Sequence, residues 1–212
     1  MKRAIAGFLL AMTVLVFTTA LALAVIHIFD FPYIVDIDLL NISESSKISR
    51  EEIMLNYNAM LDYLSPFSSK PFALPTFEYT QVATYHFAAC KLLFNTVYLL
   101  GLISGLLLAY IYINRMVSKS TLKISGAITL TIPAAIGAGM LTNFDWTFNL
   151  FHSILFTESS WQFNPELDEI IKILPSSFFM HCSVLMTFFW LCGAAIQLLI
   201  GYLPSFLFYE RT

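Results

Sequence analysis

Residues 4–28, AIAGFLLAMTVLVFTTALALAVIHI, form a predominantly apolar run from which the fold class can be inferred. A bilayer crossing needs roughly 20 mostly apolar residues, and this run exceeds that length without a charged interruption. Lys2 and Arg3 precede it, as basic residues precede the apolar core of a secretory signal. The core of a cleavable signal, however, is only about 7–15 residues long. The stretch therefore predicts an uncleaved membrane-spanning helix.

Three more segments have the length and composition of a membrane span: residues 92–113, 124–141 and 176–208. Over the whole chain 58% of residues are apolar and only 12% are charged, which is about half the charged share of a soluble domain. We therefore predict an all-α membrane protein, with four transmembrane helices in a bundle. The 212 residues are interpreted as a single integral membrane domain.

Charge placement predicts the orientation of the bundle. The short segments at one end of the spans hold six of the 11 basic residues: Lys2, Arg3, Arg115, Lys119, Lys123 and Arg211. Residues 29–91 and 142–175, at the other end, hold 13 of the 14 acidic residues. Because Lys and Arg are enriched in cytoplasmic loops, we expect both termini in the cytoplasm and an extracellular cap on a multi-pass protein of the cell membrane. The net charge of −3 and the lack of a basic stripe exclude nucleic acid as a partner, leaving the lipid bilayer.

The cap segments contain sequence patterns of helices that are too short to cross the membrane. Ser49 and Glu52 match a capping box, and apolar residues recur at helical spacing over residues 53–64. Residues 78–91 indicate a helix that runs directly into the second span. These patterns predict a small extracellular cap of short helices and loops.

The second cap segment contains two further helix starts. Asn143 or Asp145 is a plausible N-cap for a helix that includes residues 148–156. Asn164-Pro165 has the pattern of a cap followed by a proline in the first turn, and the acidic residues after it suit a helix N-terminus. It predicts another helix, which ends before Pro175.

Few residues are candidates for chemistry. The sequence contains no glycine-rich phosphate loop, nucleophile elbow or His-Glu-x-x-His pair, and its three cysteines have no Cys-x-x-Cys spacing. We therefore predict no metal and no cofactor. His86 and His152 each lie in an aromatic run near the outer end of a span, and imidazole is the side chain best suited to move a proton near neutral pH. They are interpreted as one base and one donor, with two structural histidines as the alternative.

Other polar groups leave further alternatives open. His27 fits an unused interfacial position, and His181 fits either a buried hydrogen-bonded side chain or a supporting residue of the site. Cys90 lies four residues after His86 on the same helix face, so that a lipid hydrolase with a thiol nucleophile is conceivable. A transporter is disfavoured because buried charges are few. A non-enzymatic accessory or partner-binding protein is the main alternative to an enzyme.

The sequence also resembles the lipoprotein intramolecular transacylase family, four-helix membrane proteins of Gram-positive bacteria. The similarity rests on Phe144-Asp145-Trp146, Phe151-His152, Phe156, Trp161-Gln162-Phe163-Asn164-Pro165, Asp168, Ile171, Pro175, Phe178-Phe179, Tyr57, Tyr63-Leu64 and the stretch from His86 to Lys91. The resemblance implies an acyltransferase without a covalent acyl-enzyme. It would move the sn-2 acyl chain of a membrane-anchored diacylglyceryl lipoprotein to the amino group of its N-terminal cysteine, giving a lyso-form lipoprotein.

The resemblance maps both catalytic histidines of the family onto His86 and His152. We expect a monomer that uses these two imidazoles as general acid and base. The predicted substrate-binding residues are Tyr57, Tyr85, Phe148, Phe151, Trp161, Phe163, Lys91, Asp145 and Asp168.

Overall fold

The computed structural model describes residues 1–66, 68–156 and 160–203, and within these ranges it is helical, without strands. The helices are α1 (Lys2–Ile28), α2 (Phe31–Leu39), α3 (Ile42–Ser46), α4 (Arg50–Leu64), α5 (Gln81–Ile113), α6 (Lys119–Thr142), α7 (Phe144–Leu155), a 3-10 helix (Glu169–Ile173) and α8 (Ser176–Tyr202). Residues 204–208 of the fourth predicted span, and Arg211, lie outside the described residues.

Four of these helices, α1, α5, α6 and α8, are long and apolar enough to cross a membrane. This confirms the predicted all-α membrane fold with four spans. Helix α5 continues without a break from Gln81 to Ile113, as expected of a helix over residues 78–91 that runs directly into the second span. The chain divides into two units, a first unit of residues 1–22, 99–138 and 184–212, and a second unit of residues 23–98 and 139–183.

Small residues and buried polar groups hold the first unit together. A Cβ at Gly126 would come within 2.7 Å of the Leu198 side chain, so α6 and α8 approach more closely there than larger residues allow. Nearby, the Gln197 amide donates to the Thr129 hydroxyl at 3.0 Å and accepts from the Ser125 hydroxyl. These bonds satisfy polar groups that lipid cannot satisfy.

An apolar and aromatic core holds the second unit together. The Tyr33 ring of α2 stacks on the Tyr57 ring of α4 at 3.6 Å between centroids, and the Phe178 ring of α8 packs edge-on against both. The Tyr33 hydroxyl donates to the Ile173 carbonyl oxygen at 2.7 Å. Helices α2 and α3 have no counterpart in the sequence prediction, since nine and five residues are too few for a clear periodic pattern.

The prediction of a helix that begins at Asn164-Pro165 was wrong. Residues 165–167 form turns, and a 3-10 helix occupies only Glu169–Ile173. The physical reason is tertiary, because the acidic side chains expected to stabilise a helix N-terminus bind another segment. Asp168 Oδ1 accepts from the Thr80 N–H at 2.7 Å, and Glu169 Oε2 accepts from the Glu78 N–H at 3.1 Å.

Two local predictions are confirmed. The Ser49 hydroxyl caps α4 by accepting from the Glu52 N–H at 3.2 Å, and Asn143 Oδ1 caps α7 by accepting from the Trp146 N–H at 3.0 Å. The cap at Asn143 fixes where α7 begins. It therefore also fixes the position of the last turn of α7, which carries His152.

Candidate active site

His86 and His152 meet inside the second unit. His86 lies in the second turn of α5 and His152 in the last turn of α7, and their ring centroids are 6.4 Å apart with an angle of 27° between the planes. Only 8% of His86 and 9% of His152 is exposed. The two imidazoles are therefore close enough to contact neighbouring atoms of one bound molecule.

Aromatic rings enclose the two imidazoles. Phe156 lies 4.7 Å from the His86 ring and 5.7 Å from the His152 ring, measured between centroids. Phe163 is 5.3 Å from His86, whereas Phe148 and Trp161 are 4.1 and 4.9 Å from His152. We call these two histidines and four aromatic residues the histidine site.

The backbone fixes the tautomer of His152. Its Nδ1 lies 2.8 Å from the carbonyl oxygen of Phe148, and a carbonyl only accepts, so Nδ1 carries the proton and donates. In the neutral ring the lone pair is then on Nε2. Burial lowers the pKa of His152 below its ordinary value, although the hydrogen bond to Phe148 acts in the opposite direction. The ring is therefore poised to accept a proton at Nε2.

The two nitrogens of His86 have different surroundings. Nε2 lies 3.4 Å from the sulfur of Cys90, one helical turn further along α5. Nδ1 is fully buried and has no hydrogen-bond partner among the described residues. Because buried polar groups are normally paired, the free Nδ1 marks a place where a bound group would complete the site.

The other predicted substrate-binding residues fall into two sets. Phe148, Trp161 and Phe163 contact the imidazoles directly, and Phe151 is 5.3 Å from His152 but is 53% exposed. The remaining residues lie elsewhere. Tyr85 is 64% exposed, and Tyr57 is buried in the core, where burial raises the pKa of its phenol well above the ordinary value.

The charged members of the predicted set also lie outside the histidine site. Lys91 Nζ donates to the Ser68 carbonyl oxygen at 2.8 Å and lies 4.3 Å above the centre of the Tyr63 ring. Asp145 is exposed in the first turn of α7. Asp168 is 4% exposed and binds the Thr80 N–H at the start of α5. These positions favour structural roles over direct contact with a substrate.

Sequence reasoning did not assign Phe156 to the site, although it lies four residues after His152 and such spacing places side chains on neighbouring turns. It also missed Asp36, whose carboxylate accepts from His181 Nδ1 at 2.6 Å across 145 positions. The pair of Asp36 and His181 cannot be predicted from a local sequence pattern, because the two residues are far apart in the chain. His27, by contrast, is fully bonded, since its Nε2 donates to the Leu61 carbonyl oxygen at 2.8 Å and its Nδ1 accepts from the Tyr98 hydroxyl at 3.1 Å.

Replacing Asp168 should destabilise the second unit. Asp168→Ala leaves the Thr80 N–H without its partner beside the helix that carries His86, and we expect a loss of about 1–3 kcal/mol in the free energy of unfolding. Asp145→Ala is the matched control, because that carboxylate is exposed and should contribute less than about 1 kcal/mol. Unfolding in detergent measures both variants, and equal effects would contradict the role assigned to Asp168.

The lowered pKa of His152 also predicts a pH dependence of stability. The unfolded chain takes up a proton at this ring near pH 6.5, whereas the folded protein keeps it neutral to lower pH. The contribution of His152 to the free energy of unfolding is therefore complete above pH 6.5 and is lost as the pH falls below that value. His152→Gln should shift the melting temperature less between pH 7.5 and 5 than the unaltered protein does. Identical shifts would refute the linkage.

Two of three comparisons with known proteins find a match, and both point to one family. The model of the family described as "Lipoprotein intramolecular transacylase Lit" matches residues 7–179. A structure of the membrane integral lipoprotein intramolecular transacylase Lit from Bacillus cereus superposes with a TM-score of 0.83 at 27% identity, covering 92% of each chain. A second structure of that protein, with a histidine-to-arginine mutation, gives a TM-score of 0.73 at 26% identity and covers 94% of this chain and 90% of the other. No curated protein sequence matches significantly.

Proposed function

Because the chain belongs to the lipoprotein intramolecular transacylase Lit family, we propose that it moves the sn-2 acyl chain of a diacylglyceryl lipoprotein to the amino group of that lipoprotein's N-terminal cysteine. The observation that carries the proposal is the pair of buried imidazoles, 6.4 Å apart, each with one nitrogen for which the described part of the chain shows no hydrogen-bond partner. The product is a lyso-form lipoprotein with an N-acyl chain.

The reaction needs little beyond proton transfer and orientation. The ester is already activated, so the amine nitrogen attacks its carbonyl carbon, a C–N bond forms and the C–O bond to the glyceryl unit breaks. Starting from the ammonium form, the nitrogen gives up two protons, of which one reaches the glyceryl oxygen and the other passes to the solvent, and no water is consumed. The α-amino group has a pKa of about 8, so it is mostly protonated at neutral pH and requires a base.

His152 is suited to be that base. The Phe148 carbonyl holds the proton of the neutral ring on Nδ1 and leaves Nε2 to take the amine proton. The imidazolium formed in this way then returns the proton to the departing glyceryl oxygen. Burial favours the neutral ring before the reaction, and the surrounding rings exclude water that would hydrolyse the ester.

His86 is suited to donate a hydrogen bond to the substrate. Negative charge develops on the ester oxygens as the amine attacks, and a donor placed there in an apolar site stabilises the transition state. Nδ1 of His86 is buried and has no partner in the described chain, so it is the ring nitrogen left to supply this hydrogen bond. A neutral imidazole with its proton on Nδ1 can supply this hydrogen bond without becoming charged.

The surroundings of the site suit a substrate held in lipid. The face of α7 opposite His152 exposes Trp146, Leu150, Phe151 and Ile154, which is an apolar surface suited to acyl chains. From the charge distribution we propose that the site lies on the extracellular side, with both termini cytoplasmic, and that one monomer suffices. Holding the amine near the ester can supply on the order of 7–11 kcal/mol of the barrier in favourable cases.

The full chain should be expressed in a host that makes only diacyl lipoproteins, and the N-terminal lipopeptides should be analysed by tandem mass spectrometry. Intramolecular transfer leaves the total mass unchanged, so fragment ions must show one acyl chain moved from glycerol to the amine. With two purified lipoproteins that differ in acyl length, we expect no crossed products. Unchanged fragments despite folded protein in the membrane would support a non-enzymatic role, and crossed products would refute intramolecular transfer.

A further inference from the structure

Cys90 makes a contact with the histidine site that the proposed reaction does not yet use. Its sulfur lies 3.4 Å from Nε2 of His86, and the two residues are four apart on α5, so the helix itself sets their spacing. The thiol is free, since no disulfide forms among the described residues. Cys90 thus contacts Nε2 of His86, the ring nitrogen that the proposed reaction does not use.

The other ring nitrogen of His86, Nδ1, explains why the contact with Cys90 is relevant to the reaction. Nδ1 of His86 is buried without a partner, although only 8% of the residue is exposed. A buried polar group without a hydrogen bond is unfavourable unless a ligand satisfies it. Nε2 of His86 is therefore occupied by the Cys90 thiol, and Nδ1 is the nitrogen left for a substrate.

The direction of the hydrogen bond between Cys90 and His86 determines which ring nitrogen of His86 carries the proton. An imidazole lone pair is a good acceptor, whereas a thiol sulfur is a weak one, so the S–H donates to Nε2 rather than the reverse. A neutral imidazole that accepts at Nε2 carries its own proton on Nδ1. That tautomer presents an N–H to the site and matches the donor role of His86.

We propose that Cys90 is a positioning residue for acyl transfer, which donates its thiol proton to Nε2 of His86 and holds the imidazole with its Nδ1–H directed at the substrate. The inference rests on the proposed function. It makes the thiol a part of the orientation of His86 and assigns it no bond to the acyl chain.

Kinetics of the full-length enzyme test the role. We expect Cys90→Ala to lower kcat about tenfold with little change in KM, because the tautomer and the ring orientation are no longer fixed. Cys90→Ser should stay within about threefold of the unaltered enzyme, since a hydroxyl also donates to Nε2. Cys192→Ala, another free cysteine, is the control for loss of a thiol and should leave kcat unchanged.

Two outcomes overturn the inference. If Cys90→Ala keeps the full rate, the contact does not position His86. If Cys90→Ser loses as much activity as Cys90→Ala and the unaltered enzyme forms an acyl-enzyme sensitive to hydroxylamine, Cys90 is a nucleophile and the positioning role is wrong.

A spectroscopic measurement separates this inference from the proposed function. Nitrogen-15 chemical shifts of labelled histidine report which ring nitrogen carries the proton, and the signals of His86 are assigned by their loss in His86→Gln. We expect the proton on Nδ1 in the full chain, and a mixture of tautomers in Cys90→Ala. A proton on Nε2 would refute the inference even in an active enzyme. The expected shifts in a protein without transfer activity would instead refute the proposed function alone.

Discussion

His86→Gln should lower the rate of acyl transfer by roughly 10²–10³-fold, the cost of removing one hydrogen-bond donor to a developing oxyanion. The glutamine amide is similar in polarity but cannot reach the position that Nδ1 of the imidazole occupies among Phe156 and Phe163. The effect should appear in kcat, because the hydrogen bond strengthens as charge develops in the transition state. Single-turnover conversion of a purified diacyl lipoprotein, followed by fragment ions, measures the rate.

A matched histidine serves as the control for this variant. His27 is part of the same unit, and both of its nitrogens are hydrogen-bonded to protein groups, the Leu61 carbonyl and the Tyr98 hydroxyl. His27→Gln should therefore keep the rate within about threefold and affect mainly stability. If His86→Gln retains more than a third of the rate while its melting temperature is unchanged, His86 has no part in the chemistry.

The membrane fold could be predicted from sequence because it depends on local composition. Twenty consecutive apolar residues determine a span wherever it lies in the chain, and the four helices that meet this criterion begin or end within a few residues of most predicted bounds. Helix α5 starts at Gln81, eleven positions before the predicted span, because it also includes the helix expected over residues 78–91. Its first turns carry polar residues, so hydropathy alone does not include them.

The candidate site could be predicted only in part, because neighbours in sequence can face opposite directions. Successive residues of a helix are about 100° apart, which explains why His86 is 8% exposed and Tyr85 is 64% exposed. Both belong to the same aromatic run, and composition alone gives no reason to separate them. The spacing of four between His86 and Cys90 correctly places the two on one face, since this relation is local.

Contacts across long sequence separations were beyond the reach of any local pattern. The carboxylate of Asp168 binds the Thr80 N–H across 88 positions, and the carboxylate of Asp36 binds His181 across 145. Each of these acids has a plausible local role, as a helix cap or as surface charge, that the tertiary contact replaces. Such competition is the reason why the helix expected after Asn164-Pro165 does not form.

His152→Gln should lower the rate of transfer by about 10²–10⁴-fold at pH 7, the usual range for loss of a general base. Glutamine keeps a polar amide in the aromatic enclosure, but its side chain has no basic nitrogen to replace Nε2. The rates of His152→Gln and of the unaltered enzyme should be compared under single-turnover conditions between pH 6.5 and 9.5.

The pH profile distinguishes the two histidines. Without a base, His152→Gln depends on substrate whose amine is already unprotonated, and that fraction rises from about one tenth at pH 7 to most of the amine above pH 9. The deficit of His152→Gln relative to the unaltered enzyme should therefore shrink as the pH rises. The deficit of His86→Gln should stay constant, since a hydrogen bond from a neutral imidazole to the oxyanion involves no net proton transfer. A deficit that shrinks with pH for His86→Gln and stays constant for His152→Gln would reverse the two roles, with Nδ1 of His86 acting as the base.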